Sequence, residues 1–223
     1  MNSPSKYTEL LNILIKFFGT PAKPELSDPF RILVSTILSQ RTRDEITEKV
    51  SKRLFRQVQT IEDLALIPLD DLIQILRGVN YRFQKAKRLK QIAQILLTKG
   101  SVPNTREELL QLPGVGEKTA SSVLAFGLGK TDEILLDTHV FRVCSRLGLC
   151  SQSQPKSEVR EAVLREYPDQ DLRLVDYVFL NLGKQLCRAK KPRCRDCPIY
   201  EFCKYYRDHF GFEGPHLSEN SRK

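Results

Sequence analysis

Apolar residues recur along this 223-residue chain at the spacing of a helix face. Val140, Val143, Cys144 and Leu147, for example, occupy positions i, i+3, i+4 and i+7. Because a helical turn takes 3.6 residues, such positions share one side of a helix. No segment alternates apolar and polar residues between turn residues, apart from a short ambiguous run at 134–136. The sequence therefore predicts an all-α fold.

Two helix starts are marked by capping residues. Asp28 precedes Pro29, which is typical of an N-cap followed by proline at the first helical position. Thr105 precedes Glu108 by three positions, the spacing of a capping box. We expect a short helix to run from the box through Leu110. We expect another to begin at Pro29, with one apolar face formed by Phe30, Leu33, Val34, Ile37 and Leu38.

Composition narrows the class of protein and its partners. Apolar residues make up 40% of the chain, which excludes a wholly disordered protein. No run approaches the roughly 18 uncharged apolar residues of a membrane span, and residues 1–6 do not begin a signal peptide. We therefore expect a cytoplasmic protein without membrane contact. The 36 basic residues against 27 acidic ones give a net charge of +9, which favours nucleic acid as a partner.

Residues 112–116 read Leu-Pro-Gly-Val-Gly between two predicted helices, the second beginning near Glu117. Two glycines allow a tight turn whose N–H groups have no Cβ over them. The second helix adds its positive end, so a phosphate oxygen can bind the amides of Gly114, Val115 and Gly116. An ordinary turn of proline and glycine is the alternative. The basic chain favours phosphate binding, which positions a protein on DNA of any sequence.

Lys118 falls in the first turn of that second helix, where the helix dipole disfavours an ammonium ion. An amine beside a phosphate-binding hairpin is a candidate nucleophile for a sugar carbon. Asp137 precedes the stripe that begins at Val140 and is expected to N-cap that helix. A carboxylate there can stabilise a developing oxocarbenium cation. A surface phosphate-binding lysine and a purely structural cap are the alternatives, and spacing alone leaves both open.

Cys187, Cys194, Cys197 and Cys203 are separated by six, two and five residues. In a reducing compartment such a cluster indicates metal binding rather than disulfides. Four thiolates suit either zinc or a [4Fe-4S] cluster, and the lack of two Cys-x-x-Cys knuckles favours iron–sulfur. The basic residues around the cluster are expected to contact phosphates: Arg188, Lys190, Lys191, Arg193 and Arg195.

With these motifs in place, the chain resembles the endonuclease III family of helix–hairpin–helix DNA glycosylases. The matching segments are Leu-Pro-Gly-Val-Gly-Glu-Lys-Thr-Ala at 112–120, Asp-Thr-His-Val-Phe-Arg-Val at 137–143, and the four cysteines. Three independent motifs occur in the family's order, and the likeness runs from about Phe30 to Cys203. The segment 39–44 resembles the archaeal form of the family.

The resemblance implies a bilobed helical protein with DNA between its lobes. One lobe would be a six-helix barrel at about 21–134. The other would combine 1–20 with 135–210 and hold a [4Fe-4S] cluster on the four cysteines, and 211–223 would be a polar tail. We expect a monomer whose partner is double-stranded DNA with a damaged base or abasic site.

The resemblance also implies the chemistry. A damaged pyrimidine would be flipped out of the duplex, Lys118 would attack C1′ and form a Schiff base, and β-elimination would nick the strand 3′ to the lesion. Asp137 takes the position of the family's essential aspartate. Relatives without a lysine at the position of Lys118, such as thymine- and adenine-mismatch glycosylases, only remove the base.

Two loops are expected to enter the duplex at the lesion. In the segment 39–44, Gln40 and Arg41 both match the glutamine that the family inserts, depending on the alignment. In the loop before Lys85-Ala86, Tyr81 or Arg82 would be the second intercalating residue. The sequence leaves both pairs open, and with them the lesion preference.

Two rival functions remain at this stage. A monofunctional mismatch glycosylase of the same superfamily would release a base without nicking, and Lys118 argues against it. A non-catalytic iron–sulfur DNA-binding module would explain the hairpin and the cysteines. That module gives no reason for Lys118 together with Asp137.

Overall fold

The computed structural model describes residues 6–21, 27–151, 153–168 and 170–211. Within these ranges every regular element is a helix, so the predicted all-α class is confirmed, and residues 134–136 belong to no helix or strand. No helix in this part of the chain is long and apolar enough to cross a membrane. The tail expected at 211–223 lies outside the described residues except for Gly211.

The chain divides into two compact units. The central unit is Lys23–Glu133, and the terminal unit joins Met1–Ala22 to Ile134–Lys223. Each has its own apolar core.

The central unit contains seven α-helices among its described residues, followed by one π-helical turn. The bounds are α2 Pro29–Ser39, α3 Asp44–Leu54, α4 Ile61–Leu66, α5 Leu69–Ile75, α6 Arg82–Lys99, α7 Arg106–Leu110, α8 Glu117–Ser122 and the π turn Val123–Gly127.

Helix α2 contacts α3, α6, α8 and the π turn, because its apolar face is fully buried. That face carries the predicted stripe Phe30, Leu33, Val34, Ile37 and Leu38. The predicted N-cap is confirmed, since the Asp28 carboxylate accepts the Phe30 N–H at 2.9 Å and Pro29 is the first helical residue.

The π turn follows directly on α8, and its backbone lies against the start of α2. The Leu128 N–H donates to the Val123 carbonyl at 3.0 Å, five residues back. A Cβ on Gly127 would lie 2.8 Å from the Cα of Pro29, so only glycine fits between these two backbones. No pattern in the sequence indicated this turn.

The predicted capping box at α7 is wrong in one of its two hydrogen bonds. Thr105 is the N-cap and accepts the Glu108 N–H at 3.4 Å, as expected. The Glu108 carboxylate instead binds the Thr105 hydroxyl at 3.2 Å and Lys99 at 2.9 Å. A lysine from the end of α6 therefore draws this carboxylate away from the backbone of the cap. The reciprocal box is found at α4, between Thr60 and Asp63.

The terminal unit contains five α-helices in the ranges described, together with two 3₁₀ turns. The bounds are α1 Lys6–Phe18, α9 Thr138–Leu147, α10 Lys156–Glu166, α11 Leu172–Gln185, α12 Lys204–Phe210 and the 3₁₀ turns Cys194–Asp196 and Tyr200–Phe202.

Helices α9 and α11 form the centre of this unit. A Cβ on Gly183 would lie 2.8 Å from the Cβ of His139, so the two helices approach closely there. Tyr167 and Phe179 are buried in the core beside the predicted face of α9. Cys144, a member of the predicted apolar face of α9, is fully buried among them.

Candidate nucleic-acid interface and cysteine site

The glycine hairpin connects α7 to α8 as the sequence predicts, since α7 ends at Leu110 and α8 begins at Glu117. Leu112 and Val115 are buried in the core of the central unit, so their side chains anchor the hairpin to that core. Gly114 is exposed with φ 76°, a left-handed conformation that favours glycine. Gly116 is exposed too, with open space where a Cβ would stand.

Arg106 fastens the two helices of the hairpin together. Its guanidinium binds the Glu117 carboxylate at 2.5 Å, the Ser121 hydroxyl at 2.9 Å and the carboxylate of buried Glu133. The arginine side chain is mostly buried, so these charged contacts are little screened by water. These contacts therefore join α7 to α8, the two helices that flank the hairpin.

Lys118 is the second residue of α8 and its side chain is exposed. The next two residues, Thr119 and Ala120, are buried, which fixes the helix face on which Lys118 stands. The amine thus projects from the first turn after the hairpin, as expected from the sequence.

Asp137 belongs to the terminal unit, where it is the N-cap of α9. One carboxylate oxygen accepts the N–H groups of His139 at 2.7 Å and Val140 at 2.9 Å, so the predicted cap is confirmed. Each of the two residues before Asp137 is hydrogen-bonded to a side chain. Lys156 donates to the Leu136 carbonyl at 2.6 Å, and Asp176 accepts the Leu135 N–H at 3.0 Å. The carboxylate is half-buried.

The turn at residues 39–42, here called the 39–42 turn, touches the hairpin directly. The Gln40 side-chain amide donates to the Gly114 carbonyl at 2.9 Å. Arg41 follows with φ 55° and an exposed side chain. Of the two residues predicted to enter the duplex from here, one is bonded to the hairpin and the other points to solvent.

The loop before α6 lies against the same turn. Tyr81 has φ 58° and is 55% exposed, and the Arg41 guanidinium lies 5.9 Å from its ring centre. The Asn80 amide donates to the Arg41 carbonyl. Arg82 packs over the Phe83 ring at 4.7 Å. The candidates Arg41 and Tyr81 are thus brought together, whereas Arg82 is engaged with Phe83.

No motif in the sequence marked Lys85 as a functional candidate. Lys85 is only 2% exposed and lines a cavity with the 39–42 turn, Tyr81, Gln84 and Arg88. The sequence did contain a signal for its burial, though not for its partners: Lys85 precedes Leu89 by four residues and so falls on the buried face of α6.

The four cysteines predicted to bind metal line one cavity of the terminal unit, together with Arg146 and three tyrosines. Arg146 donates to the Cys187 sulfur at 3.2 Å, and the Cys203 thiol donates to the Arg146 carbonyl at 3.4 Å. Burial raises the pKa of Cys197 to about 12 and also raises that of Cys194. In the described ranges, no three thiol, imidazole or carboxylate groups surround a single-ion position.

The loop between the first two of these cysteines is strongly basic and exposed. Arg193 binds the Asp196 carboxylate at 2.8 Å, but both side chains remain more than half exposed, so this pair is weak. The basic residues predicted to contact phosphates are all exposed: Arg188, Lys190, Lys191, Arg193 and Arg195.

Comparison with known families gives one match that covers most of the chain. Residues 34–169 match the HhH-GPD superfamily, described as base excision DNA repair proteins. The matched range includes the 39–42 turn, the hairpin, Lys118 and Asp137.

Curated relatives extend the likeness to nearly the full length. Endonuclease III of Thermotoga maritima is 40% identical over 201 residues, which cover 89% of this chain and 92% of that protein. Endonuclease III of Bacillus subtilis is 34% identical over 180 residues, covering 80% and 82%.

Solved structures agree with the sequence relatives. A trapped endonuclease III–DNA covalent intermediate is 30% identical with a TM-score of 0.79, covering 93% of this chain and 99% of that one. A non-covalent endonuclease III–DNA complex gives 0.78 at the same identity, covering 93% and 98%. A thermostable thymine-DNA glycosylase shares the fold, with a TM-score of 0.75 at 24% identity, covering 90% and 96%.

Proposed function

Because this chain belongs to the endonuclease III family of the HhH-GPD superfamily, we propose that it removes oxidised pyrimidines from DNA through a Schiff base on Lys118. It is a bifunctional DNA glycosylase and AP lyase of base excision repair, and it acts on damaged duplex DNA. One observation carries the assignment of the nucleophile: an exposed lysine in the first helical turn after the glycine hairpin.

Lys118 supplies the amine for two consecutive steps. Its neutral amine attacks C1′, the glycosidic bond breaks, and the base leaves with the electron pair and takes up a proton. The sugar ring then opens to a Schiff base. Loss of a C2′ proton expels the 3′ phosphate by β-elimination, and water releases the unsaturated aldehyde and restores the lysine. The strand is cut 3′ to the lesion.

Asp137 is proposed to stabilise the positive charge that develops on the sugar as the base departs. Two backbone N–H groups, those of His139 and Val140, bind its carboxylate and fix its position at the start of α9. A fixed negative charge opposite an oxocarbenium ion lowers the barrier without reorganisation.

The hairpin and the basic cysteine loop are proposed to hold the DNA backbone. The amides of Gly114, Val115 and Gly116 would bind phosphate oxygens at the start of α8. Arg193 and its basic neighbours would add charged contacts. From the 39–42 turn and the next loop, Arg41 and Tyr81 would enter the duplex, since both side chains are exposed and adjacent.

A [4Fe-4S] cluster is proposed on Cys187, Cys194, Cys197 and Cys203. The donor set fits, because all four thiols line one cavity of the terminal unit and cysteine thiolates are the ligands that iron–sulfur clusters take. A four-iron cluster takes each thiolate on a different iron, so the sulfurs do not converge on one ion. When bound, the cluster holds the basic loop in place and does no chemistry on the substrate.

The remaining proposals concern the whole chain. The central unit would correspond to the six-helix barrel lobe of the family, at about 21–134, and the terminal unit to the cluster-bearing lobe. We propose a monomer located in the prokaryotic cytoplasm, where its DNA substrate lies.

A nicking assay tests the proposed activity. The wild type should release the base from a thymine glycol duplex and leave the 3′ unsaturated aldehyde of β-elimination. Lys118→Gln should bind abasic duplex with little loss of affinity but give neither product. Base release from wild type with an intact strand would instead identify a monofunctional glycosylase.

A further inference from the structure

The buried side chain of Lys85 ends among three oxygens of one short segment. Its Nζ lies 2.7 Å from the carbonyl oxygen of Leu38, 2.6 Å from that of Gln40 and 3.1 Å from the hydroxyl of Thr42. Lysine is seldom fully buried unless its charge is satisfied. These three contacts provide an acceptor for each N–H of an ammonium group.

The contacts satisfy the end of helix α2. The last carbonyls of a helix have no partner within it, and the negative end of the dipole attracts a cation. Burial and neighbouring Arg88 lower the pKa of Lys85 to about 8. The side chain is therefore charged at neutral pH and offers all three N–H groups.

Arg41 stands between two of the bonded residues. Its φ of 55° is costly for a residue with a Cβ, so the surrounding contacts must hold it. Lys85 binds the residue on either side of it, Gln40 and Thr42, and Asn80 donates to the Arg41 carbonyl. The exposed guanidinium is thereby kept beside Tyr81.

We propose that Lys85 is a positioning residue of the reaction: its ammonium fixes the 39–42 turn in the conformation that presents Arg41 to the damaged site. This rests on the proposed function, in which residues of that turn enter the duplex. Lys85 touches neither the base nor the sugar, and it acts through the backbone of the turn.

The same helix offers a matched control. Lys90, also on α6, donates to the carbonyls at the end of α4: Leu64 at 3.3 Å, Ile67 at 2.6 Å, and Ala65. Its contacts have the same chemistry as those of Lys85 but bind no residue of the 39–42 turn. Lys90→Met therefore measures the cost of losing a helix-end lysine without disturbing that turn.

The test compares Lys85→Met with Lys90→Met on two substrates. One is a thymine glycol duplex, which requires flipping. The other is a single-stranded oligonucleotide with a preformed abasic site, which does not. Lys85→Met should slow base release from the duplex by about 10- to 100-fold, since small displacements of positioning groups cost that much. Its cleavage of the single strand should stay within about twofold of wild type.

Two further variants test the role of Lys85 through its partners in the 39–42 turn if Lys85→Met folds poorly. Thr42→Val removes one acceptor and should give a smaller loss of the same kind. In an Arg41→Ala background, Thr42→Val should add little further loss, because both changes act through one side chain. Additive losses would overturn the proposal.

The outcomes separate this inference from the proposed function. A wild type that cleaves neither substrate contradicts the proposed function itself. An active wild type with Lys85→Met and Lys90→Met equally impaired, or equally active, contradicts only the role assigned to Lys85.

Discussion

At the scale of single residues, the proposed chemistry depends on two side chains whose local geometry has ordinary structural explanations. Lys118 stands exposed at the second position of a helix, and Asp137 caps another. The sequence was sufficient to predict both placements, since a cap and a first-turn position depend on near neighbours in the chain. It was insufficient for Lys85, whose oxygen partners lie more than 40 residues away.

Asp137→Asn separates the catalytic role of Asp137 from its capping role. Asparagine caps a helix about as well as aspartate, so the thermal midpoint should change little. Loss of the negative charge should slow base release by about 100- to 1000-fold, the usual cost of one preorganised electrostatic group. Single-turnover base release and thermal unfolding of the same protein measure the two effects. Unchanged base release would leave Asp137 as a structural cap.

At the scale of elements, the apolar stripes predicted the helices well. The buried faces of α2 and α9 are those read from the sequence, because helical periodicity is a local property. Contacts between elements were not predictable in the same way. The close approach of Gly127 to Pro29 and the capture of Glu108 by Lys99 both depend on how the helices pack.

The capping box of α4 should contribute a pH-dependent part of the stability. Backbone N–H groups of Gln59 and Thr60 lower the pKa of Asp63 below its usual 3.8. Because the pKa of Asp63 is lower in the folded state, its carboxylate stabilises the fold at pH values above the unfolded-state pKa. This stabilisation is lost as the pH falls through the folded-state pKa. The urea midpoint of wild type should exceed that of Asp63→Asn at pH 7, and the difference should shrink on acidification towards pH 3. A difference independent of pH would contradict the role of the charge.

At the scale of the whole molecule, we propose that the net charge of +9 and the exposed basic loop determine the affinity for DNA. Each phosphate neutralised on duplex DNA adds about 0.9 to the slope of log affinity against log salt. Fluorescence anisotropy with abasic duplex should therefore show affinity that falls steeply with salt. Arg193→Ala should reduce the slope by about one. A slope that Arg193→Ala leaves unchanged would remove this loop from the interface.

The sequence also allowed only part of the functional surface to be predicted. The family motifs supply the fold and the reaction class, because the residues that carry them are contiguous or regularly spaced. The proposal of Arg41 rather than Gln40 as the inserted residue rests on a contact that the sequence does not show, the hydrogen bond from the Gln40 side chain to the Gly114 carbonyl.

The central claim is that Lys118 forms the Schiff base, and borohydride trapping tests it most directly. The wild type, a thymine glycol duplex and borohydride should give a covalent protein–DNA complex, and digestion with mass spectrometry should locate the adduct on Lys118. The Lys118→Gln protein should give none. An adduct on another amine, or trapping that persists in Lys118→Gln, would contradict the account.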